Sequence, residues 1–208
     1  AGRRNPVIGF DDGHLYAFAA MAARPAPAFE QPAARYAGRA HAERLEQGQD
    51  EPWWHEMQEL GWNYRLSDIQ AALALSQLKR LDAFAARRHA LAAAYDVALN
   101  GNNKGIEGLA RTLDCDPCLH LYPVRIDFDG LGKSRAKVMS ELAAQGVGSQ
   151  VHYIPVCDQP VYKARYGEVD MPGARRYYAR TLSLPLFVGM ADEDPARVVS
   201  VLLEVLGG

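Results

Sequence analysis

The sequence predicts an α/β chain, a long helix followed by a small sheet covered by helices. Three observations carry that expectation. Ser67 and Gln70 stand three residues apart just before an apolar run, the spacing of a capping box. No Gly or Pro then appears before Gly101, and most residues between are strong helix formers. Beyond Gly101 the chain alternates strand-like and helix-like stretches, the pattern of a sheet with helices packed on it.

Residues 1–52 give the weakest pattern. Pro6–Phe10 reads as a short strand, Asp11-Asp12-Gly13 as a turn and 14–24 as a helix, before prolines and an irregular polar stretch. Trp53-Trp54-His55-Glu56-Met57 is bulky and apolar, so it should pack against something. From Asp68 the helix should run about thirty residues, about 45 Å at the usual rise. Leu81, Phe84, Leu91 and Tyr95 form its buried stripe. Ile69, Leu73, Leu75 and Leu78 spread around more of its circumference, which calls for a covering domain or subunit. Arg87-Arg88 reads as a solvated face.

Asn100–Lys104 is a turn. Leu119–Phe128 alternates His120, Tyr122, Val124, Ile126 and Phe128 on one face, a half-buried strand with Pro123 at an edge or bulge. A helix over 133–145 should end at Gly146. Val147–Ile154 is a second strand, and Pro155 and Pro160 hold the loop after it. Pro172 opens another helix ending near Arg180. Leu182–Leu186 is a third strand. Asp192 or Asp194 caps a last helix with Val198, Val199, Leu202 and Leu206 inward.

Composition narrows the classes. Of 208 residues, 49% are hydrophobic and 23% charged, ordinary for a globular protein. A net charge of −2 argues against general nucleic-acid or acidic-membrane binding. No apolar run is long enough to span a membrane, and no signal peptide is visible. Three cysteines, Cys115, Cys118 and Cys157, fit a reducing cytoplasm. Cys115 and Cys118 form a C-x-x-C; a metal or redox role would need a second ligand pair or an adjoining helix start, and neither is visible, so a metal or redox module built on this pair is the remoter alternative.

Two stretches carry candidate chemistry. Asn63 and Arg65 precede the helix start, where backbone N–H groups and the helix dipole favour an anion such as phosphate. The other reading is a surface loop whose side chains cap local carbonyls. His152, in Gln150–Val156, can act as acid, base or ligand near neutral pH, or serve as a hydrogen-bonded structural residue. Period-two alternation puts His152 and Ile154 on one face and Val151 and Tyr153 on the other. Tyr162 and Tyr166 offer rings and hydroxyls to a nucleotide or sugar, or simply pack the loop. P-loop, G-x-S-x-G, H-E-x-x-H and G-x-G-x-x-G motifs are absent.

Gly61–Leu78, Gly-Trp-Asn-Tyr-Arg-Leu-Ser-Asp-Ile-Gln-Ala-Ala-Leu-Ala-Leu-Ser-Gln-Leu, resembles the hallmark segment of the DegT/DnrJ/EryC1/StrS sugar aminotransferases. These are fold-type I enzymes that use pyridoxal 5'-phosphate. Leu121–Val124, Val151–Pro155 and Leu182–Leu186 follow in that family's order. Trp53–Gln58 together with Gln150–Tyr153 resembles most closely the UDP-4-keto-6-deoxy-N-acetylhexosamine C4 aminotransferases of pseudaminic acid synthesis. The resemblance implies transfer of an amino group from glutamate to the C4 ketone of a nucleotide sugar. It implies that Asn63 reaches the cofactor phosphate of a homodimer partner, with Arg65 near the same site. It implies that His152, Tyr153 and the loop with Tyr162 line the substrate pocket.

One departure is large. The family's Schiff-base lysine lies in a Ser-x-x-x-x-Lys segment upstream of the matched region. The five lysines here, Lys79, Lys104, Lys133, Lys137 and Lys163, all lie downstream and lack that context. The chain therefore reads as the C-terminal part of such an enzyme, with no catalytic residue and no metal ligand assigned. Residues 1–52 are then a poorly defined remnant of the large domain. Residues 53–100 hold the cofactor-phosphate loop and a long interdomain helix, and 101–208 form a small C-terminal α/β domain. Its partner is a second copy or a lysine-bearing half. The competing reading is a non-catalytic remnant that serves as a binding or dimerisation module.

Overall fold

The computed structural model describes residues 51, 53–57, 66–108, 110–112 and 114–207. The expectations for Pro6–Phe10, Asp11–Gly13 and 14–24, and for Asn63 and Arg65, lie outside the described residues. The described chain falls into two compact units. One contains Gln77–His152 and 179–207; the other contains 53–57, 66–76 and Tyr153–Tyr178.

In the first unit, helix α2 spans Leu81–Leu99 and strand β1 Tyr122–Arg125. Helix α3, Arg135–Ala144, strand β2, Thr181–Leu184, and helix α6, Asp194–Val205, complete it. The two strands pair antiparallel, with Tyr122 opposite Leu184 and Val124 opposite Leu182. Single bridges extend the ladder on either side, Glu107 with Arg125 and Gln150 with Ser183. Helix α6 packs against both α2 and α3. The core between sheet and helices is built from Leu91, Tyr95, Tyr122, Val124, Val138, Leu182, Leu184 and Leu202, all essentially inaccessible.

Sequence explains these elements. Ser134 caps α3 by accepting the Lys137 N–H at 3.2 Å, and Gly146 ends the turn after it at φ +75, which a Cβ would disfavour. Val198, Val199, Leu202 and Leu206 face inward, as their spacing predicts. The Tyr95 and Tyr122 rings stack at 4.5 Å, and each hydroxyl is satisfied: Tyr95 donates to the Pro185 carbonyl at 2.8 Å and Tyr122 to Asp96 at 2.5 Å.

Several expectations fail for physical reasons. The uninterrupted helix is in fact two, α1 over Asp68–Leu78 and α2 from Leu81. Between them Arg80 donates its N–H to Gln77 at 2.9 Å in a tight turn, and its guanidinium lies 4.6 Å from the Phe84 ring centroid. Leu81 accordingly leaves the buried stripe. Val147–Ile154 forms no strand, only isolated bridge positions at Val147 and Gln150; Val151, His152 and Ile154 are all buried while Tyr153 is exposed, so the period-two alternation fails. Arg88 is buried rather than solvated, while its neighbour Arg87 reaches outward to Asp192. Neither aspartate caps α6: its N-cap is Glu193, and the Asp194 carboxylate accepts the Ala191 N–H at 2.8 Å.

The second unit holds most of α1, a single 3-10 turn at Val156–Asp158, helix α4 (Pro160–Tyr166) and nearly all of helix α5 (Pro172–Arg180). The Trp53–Met57 stretch is stapled to the start of α4. Met57 donates its N–H to the Gln159 side chain at 2.7 Å and accepts from Val161 N–H at 3.0 Å. Trp53 and Trp54 are buried, and their indole N–H groups bond to Tyr178 and Glu56, each at 2.9 Å. Arg175 on α5 binds Asp158 at 2.9 Å and Asp170 at 3.3 Å, tying the loop before α5 to the 3-10 turn.

Candidate functional site

The start of α1 is built as its sequence predicts. The Ser67 N–H donates to Gln70 Oε1 at 2.9 Å and the Gln70 N–H to Ser67 Oγ at 3.4 Å. This reciprocal cap fixes where the helix begins, at Asp68, three residues after Arg65. Asn63 and Arg65 themselves lie outside the described residues.

His152 belongs to the first unit, where the Gln150–Ser183 bridge sets its position. Gln150 and Ser183 exchange both backbone bonds, at 3.2 and 2.8 Å, and this brings the His152 ring against β2. Its Nδ1 lies 2.8 Å from Ser183 Oγ, and only 9% of His152 remains accessible. Burial, then the nearby His120, lowers its pKa to about 4. Partial burial and then the Arg88 guanidinium lower His120 as well. The result is a neutral His152 imidazole at pH 7. Such a group is suited to hydrogen bonding rather than to carrying charge.

The other predicted residues sit in the second unit. The Tyr153 ring is exposed and meets the His55 ring edge-on at 6.4 Å. Tyr162 stacks on Tyr166 at 6.2 Å, one helical turn along α4, with Arg165 5.4 Å from the Tyr166 ring centroid. Of these rings, Tyr153 and Tyr166 are exposed. Sequence reasoning missed Ser183, Arg88 and Gln159. Ser183 had a signal, a lone hydroxyl between Leu182 and Leu184 on a buried strand. Arg88 and Gln159 had none.

Cys115 and Cys118 are exposed free thiols. Among the described residues no group of three or more His, Cys, Asp or Glu side chains could hold a metal ion. No described helix is long and apolar enough to cross a membrane.

Pyridoxal phosphate, the cofactor the resemblance implies, needs a lysine amine in a desolvated pocket for attachment. The lysines of this chain do not fit. Lys79 is exposed, Lys104 bonds the Gly207 carbonyl, Lys133 lies 3.0 Å and Lys137 3.9 Å from Glu141, and Lys163 lies 3.7 Å from Glu168.

The DegT/DnrJ/EryC1/StrS aminotransferase family matches residues 30–203. The spore coat polysaccharide biosynthesis protein SpsC of Bacillus subtilis is 36% identical over 162 residues, covering 75% of this chain and 41% of its own length. The chain thus spans about two fifths of the curated relatives it matches, 41% and 40% of the first two. Helicobacter pylori PseC, an aminotransferase involved in the biosynthesis of pseudoaminic acid, superposes with a TM-score of 0.62 at 25% identity, over 76% of this chain and 42% of that one. The PLP-form of Spr1654 from Streptococcus pneumoniae gives 0.60 at 28% identity, over 74% and 39%. These likenesses fit the α/β fold expected from the sequence.

Proposed function

The chain belongs to the DegT/DnrJ/EryC1/StrS aminotransferase family, and on that premise we propose that it is the C-terminal part of a sugar aminotransferase. The complete enzyme moves an amino group from glutamate to the C4 ketone of a nucleotide-linked 4-keto-6-deoxy sugar. The observation that carries this reading is the family match over residues 30–203. Pyridoxal phosphate, when bound, supplies the electron sink for that chemistry. Its attachment falls to a lysine outside these 208 residues, since none within them fits.

The chain's own contribution is recognition. Asn63 and Arg65, just ahead of the capped start of α1, hold the cofactor phosphate of a partner subunit in a homodimer. His152, neutral at pH 7, and the hydroxyls of Tyr153 and Tyr162 meet the nucleotide sugar. In this reading residues 53–100 carry the phosphate loop and interdomain helices, 101–208 the small domain and 1–52 the edge of the large one, in a cytoplasmic enzyme.

Co-expression with the coding sequence immediately upstream tests the proposal. The expected result is a coloured, cofactor-bearing complex that aminates UDP-4-keto-6-deoxy-N-acetylhexosamine with glutamate. A stable complex that binds cofactor yet aminates no nucleotide-linked keto sugar would sink it.

One observation favours the second reading, a binding or dimerisation module. On α1, Ile69, Leu73, Leu75 and Leu78 are exposed, Ile69 by 85%. Adjacent apolar side chains on one short helix rarely stay in water. The 208-residue chain should therefore self-associate at micromolar concentration, and Leu73→Glu with Leu75→Glu should shift it toward monomer. A monomer in sedimentation velocity before any substitution would count against this reading.

A further inference from the structure

The turn that ends α2 leaves a reactive pair exposed. Asn100 is followed by Gly101, the single Asn-Gly step in the sequence. The backbone nitrogen of the residue after an asparagine can attack the side-chain amide carbon. That reaction needs the nitrogen unbonded and uncrowded, and the side-chain amide free to turn onto it. Asn100 caps the C-terminus of α2 at φ −63 and ψ 131, and both Asn100 and Gly101 are exposed. The bonds on either side pass them by: the Asn100 N–H donates to Val97 at 3.2 Å and the Asn102 N–H to Leu99 at 3.3 Å. Among the described residues nothing accepts the Gly101 N–H, and no hydrogen bond holds the Asn100 side chain. Gly101 lies at φ +72, and a Cβ built there would meet no atom within 4 Å, so the nitrogen is approached through open space.

The two asparagines that follow are held. Asn102 Nδ2 donates to the Leu99 and Ile106 carbonyls at 2.9 and 3.0 Å. Its Oδ1 accepts the Lys104 and Ile106 N–H groups at 3.2 and 3.0 Å. Four bonds therefore fix that amide away from the Asn103 nitrogen. Asn103 would be attacked by the Lys104 nitrogen, which is one of the groups that Asn102 binds.

We propose that Asn100-Gly101 is a site of spontaneous modification, deamidation through a cyclic imide, and that the modification weakens the end of α2. The Gly101 nitrogen bonds to Asn100 Cγ, the Cγ–Nδ2 bond breaks, and ammonia leaves with the Gly101 amide proton. Water then opens the imide. Cleavage at Cγ gives aspartate, and cleavage at the main-chain carbonyl gives isoaspartate, which adds a methylene to the backbone. Either product puts a carboxylate at the C-terminal end of α2, whose last turn has no basic residue. The helix dipole disfavours an anion there, and Asp96 already stands one turn back.

Incubating the folded 208-residue chain in warm, mildly alkaline buffer and mapping its peptides tests this. Position 100 should become a mixture of aspartate and isoaspartate while Asn102 and Asn103 keep their amides. An isoaspartate-specific carboxyl methyltransferase with labelled S-adenosylmethionine should label the incubated chain there. Asn100→Gln should lose the label, because its longer side chain does not close the same ring, and the extended backbone at this position suits glutamine equally. In guanidinium, where the bonds to Asn102 are gone, all three positions should convert. The incubated chain should also unfold at a lower Tm, and Asn100→Asp, which adds the charge alone, should lower it in the same direction. Retention of the Asn100 amide in the folded chain, over a time in which the unfolded chain loses it, overturns the proposal. So does conversion of Asn102 or Asn103 ahead of Asn100 in the folded chain, or an unchanged Tm after conversion.

Discussion

Acidification from pH 7 to pH 4 should cost the first unit about 3 kcal/mol of stability through His152 alone. The folded chain holds this ring with a pKa of about 4, against an ordinary 6.5. Between those values the unfolded chain binds a proton that the folded chain refuses. The unfolded state therefore carries more protons, and stability rises with pH across the window. Going down in pH, the loss begins near 6.5, grows to about 4, and levels off below. His120, whose pKa is also lowered, adds in the same direction. Carboxylates titrating at the low end add a background common to any variant.

Comparison with His152→Gln isolates the contribution. Urea unfolding followed at a series of pH values should give a shallower acid slope for the variant, with the two curves drawing together by about 3 kcal/mol between pH 7 and 4. Parallel curves would show that His152 is not the buried neutral base. Direct titration of its ring resonance gives the same answer without the substitution.

The elements that sequence announced are those with local chemistry. Ser67 with Gln70, Ser134 with the Lys137 N–H, and Gly146 in the left-handed region each satisfy backbone groups at a helix end, so their residue types read directly. The apolar spacing of α6 and the alternation of Tyr122, Val124, Ile126 and Phe128 also read correctly, because one face of each is buried, whereas His120, expected on the same face, lies before the strand begins and is exposed. The break at Lys79-Arg80 has no glycine or proline to mark it, and it falls near Gln77, the first described residue of the first unit. Helix α4 was hidden behind Pro160, which suggested a loop but occupies a first helical turn.

The candidate site was legible in part for the same reason. Adjacent arginines on α2 look alike in sequence, yet the helical step turns Arg87 outward to Asp192 and buries Arg88. His152 stood out by type, but the hydroxyl beside its ring belongs to Ser183, thirty-one residues away across a single bridge. No local pattern encodes that pairing. The tyrosines were visible as aromatics; their neighbours, His55 for Tyr153 and Tyr166 for Tyr162, follow from the fold.

Borohydride treatment of the 208-residue chain with pyridoxal phosphate should give no stoichiometric adduct on any of its five lysines. Attachment needs an unprotonated amine held in a dry pocket beside the cofactor ring. Lys133 and Lys137 share Glu141, Lys163 faces Glu168, Lys104 is tied to the Gly207 carbonyl, and Lys79 is solvated. Each would have to give up water or an ion pair before it could react. Scattered surface labelling is the expected background, spread over several lysines and proportional to reagent. One lysine trapped at full occupancy, at cofactor concentrations that leave the others unmodified, would overturn the assignment of attachment to a residue outside this chain. With the upstream half present, the single strong adduct should appear on that half. Asn63→Ala in this chain should then weaken retention of the cofactor without moving the adduct, because a phosphate contact positions the cofactor while the lysine fixes it. If Asn63→Ala leaves retention unchanged, the phosphate role proposed for the segment before α1 fails even where the family chemistry holds.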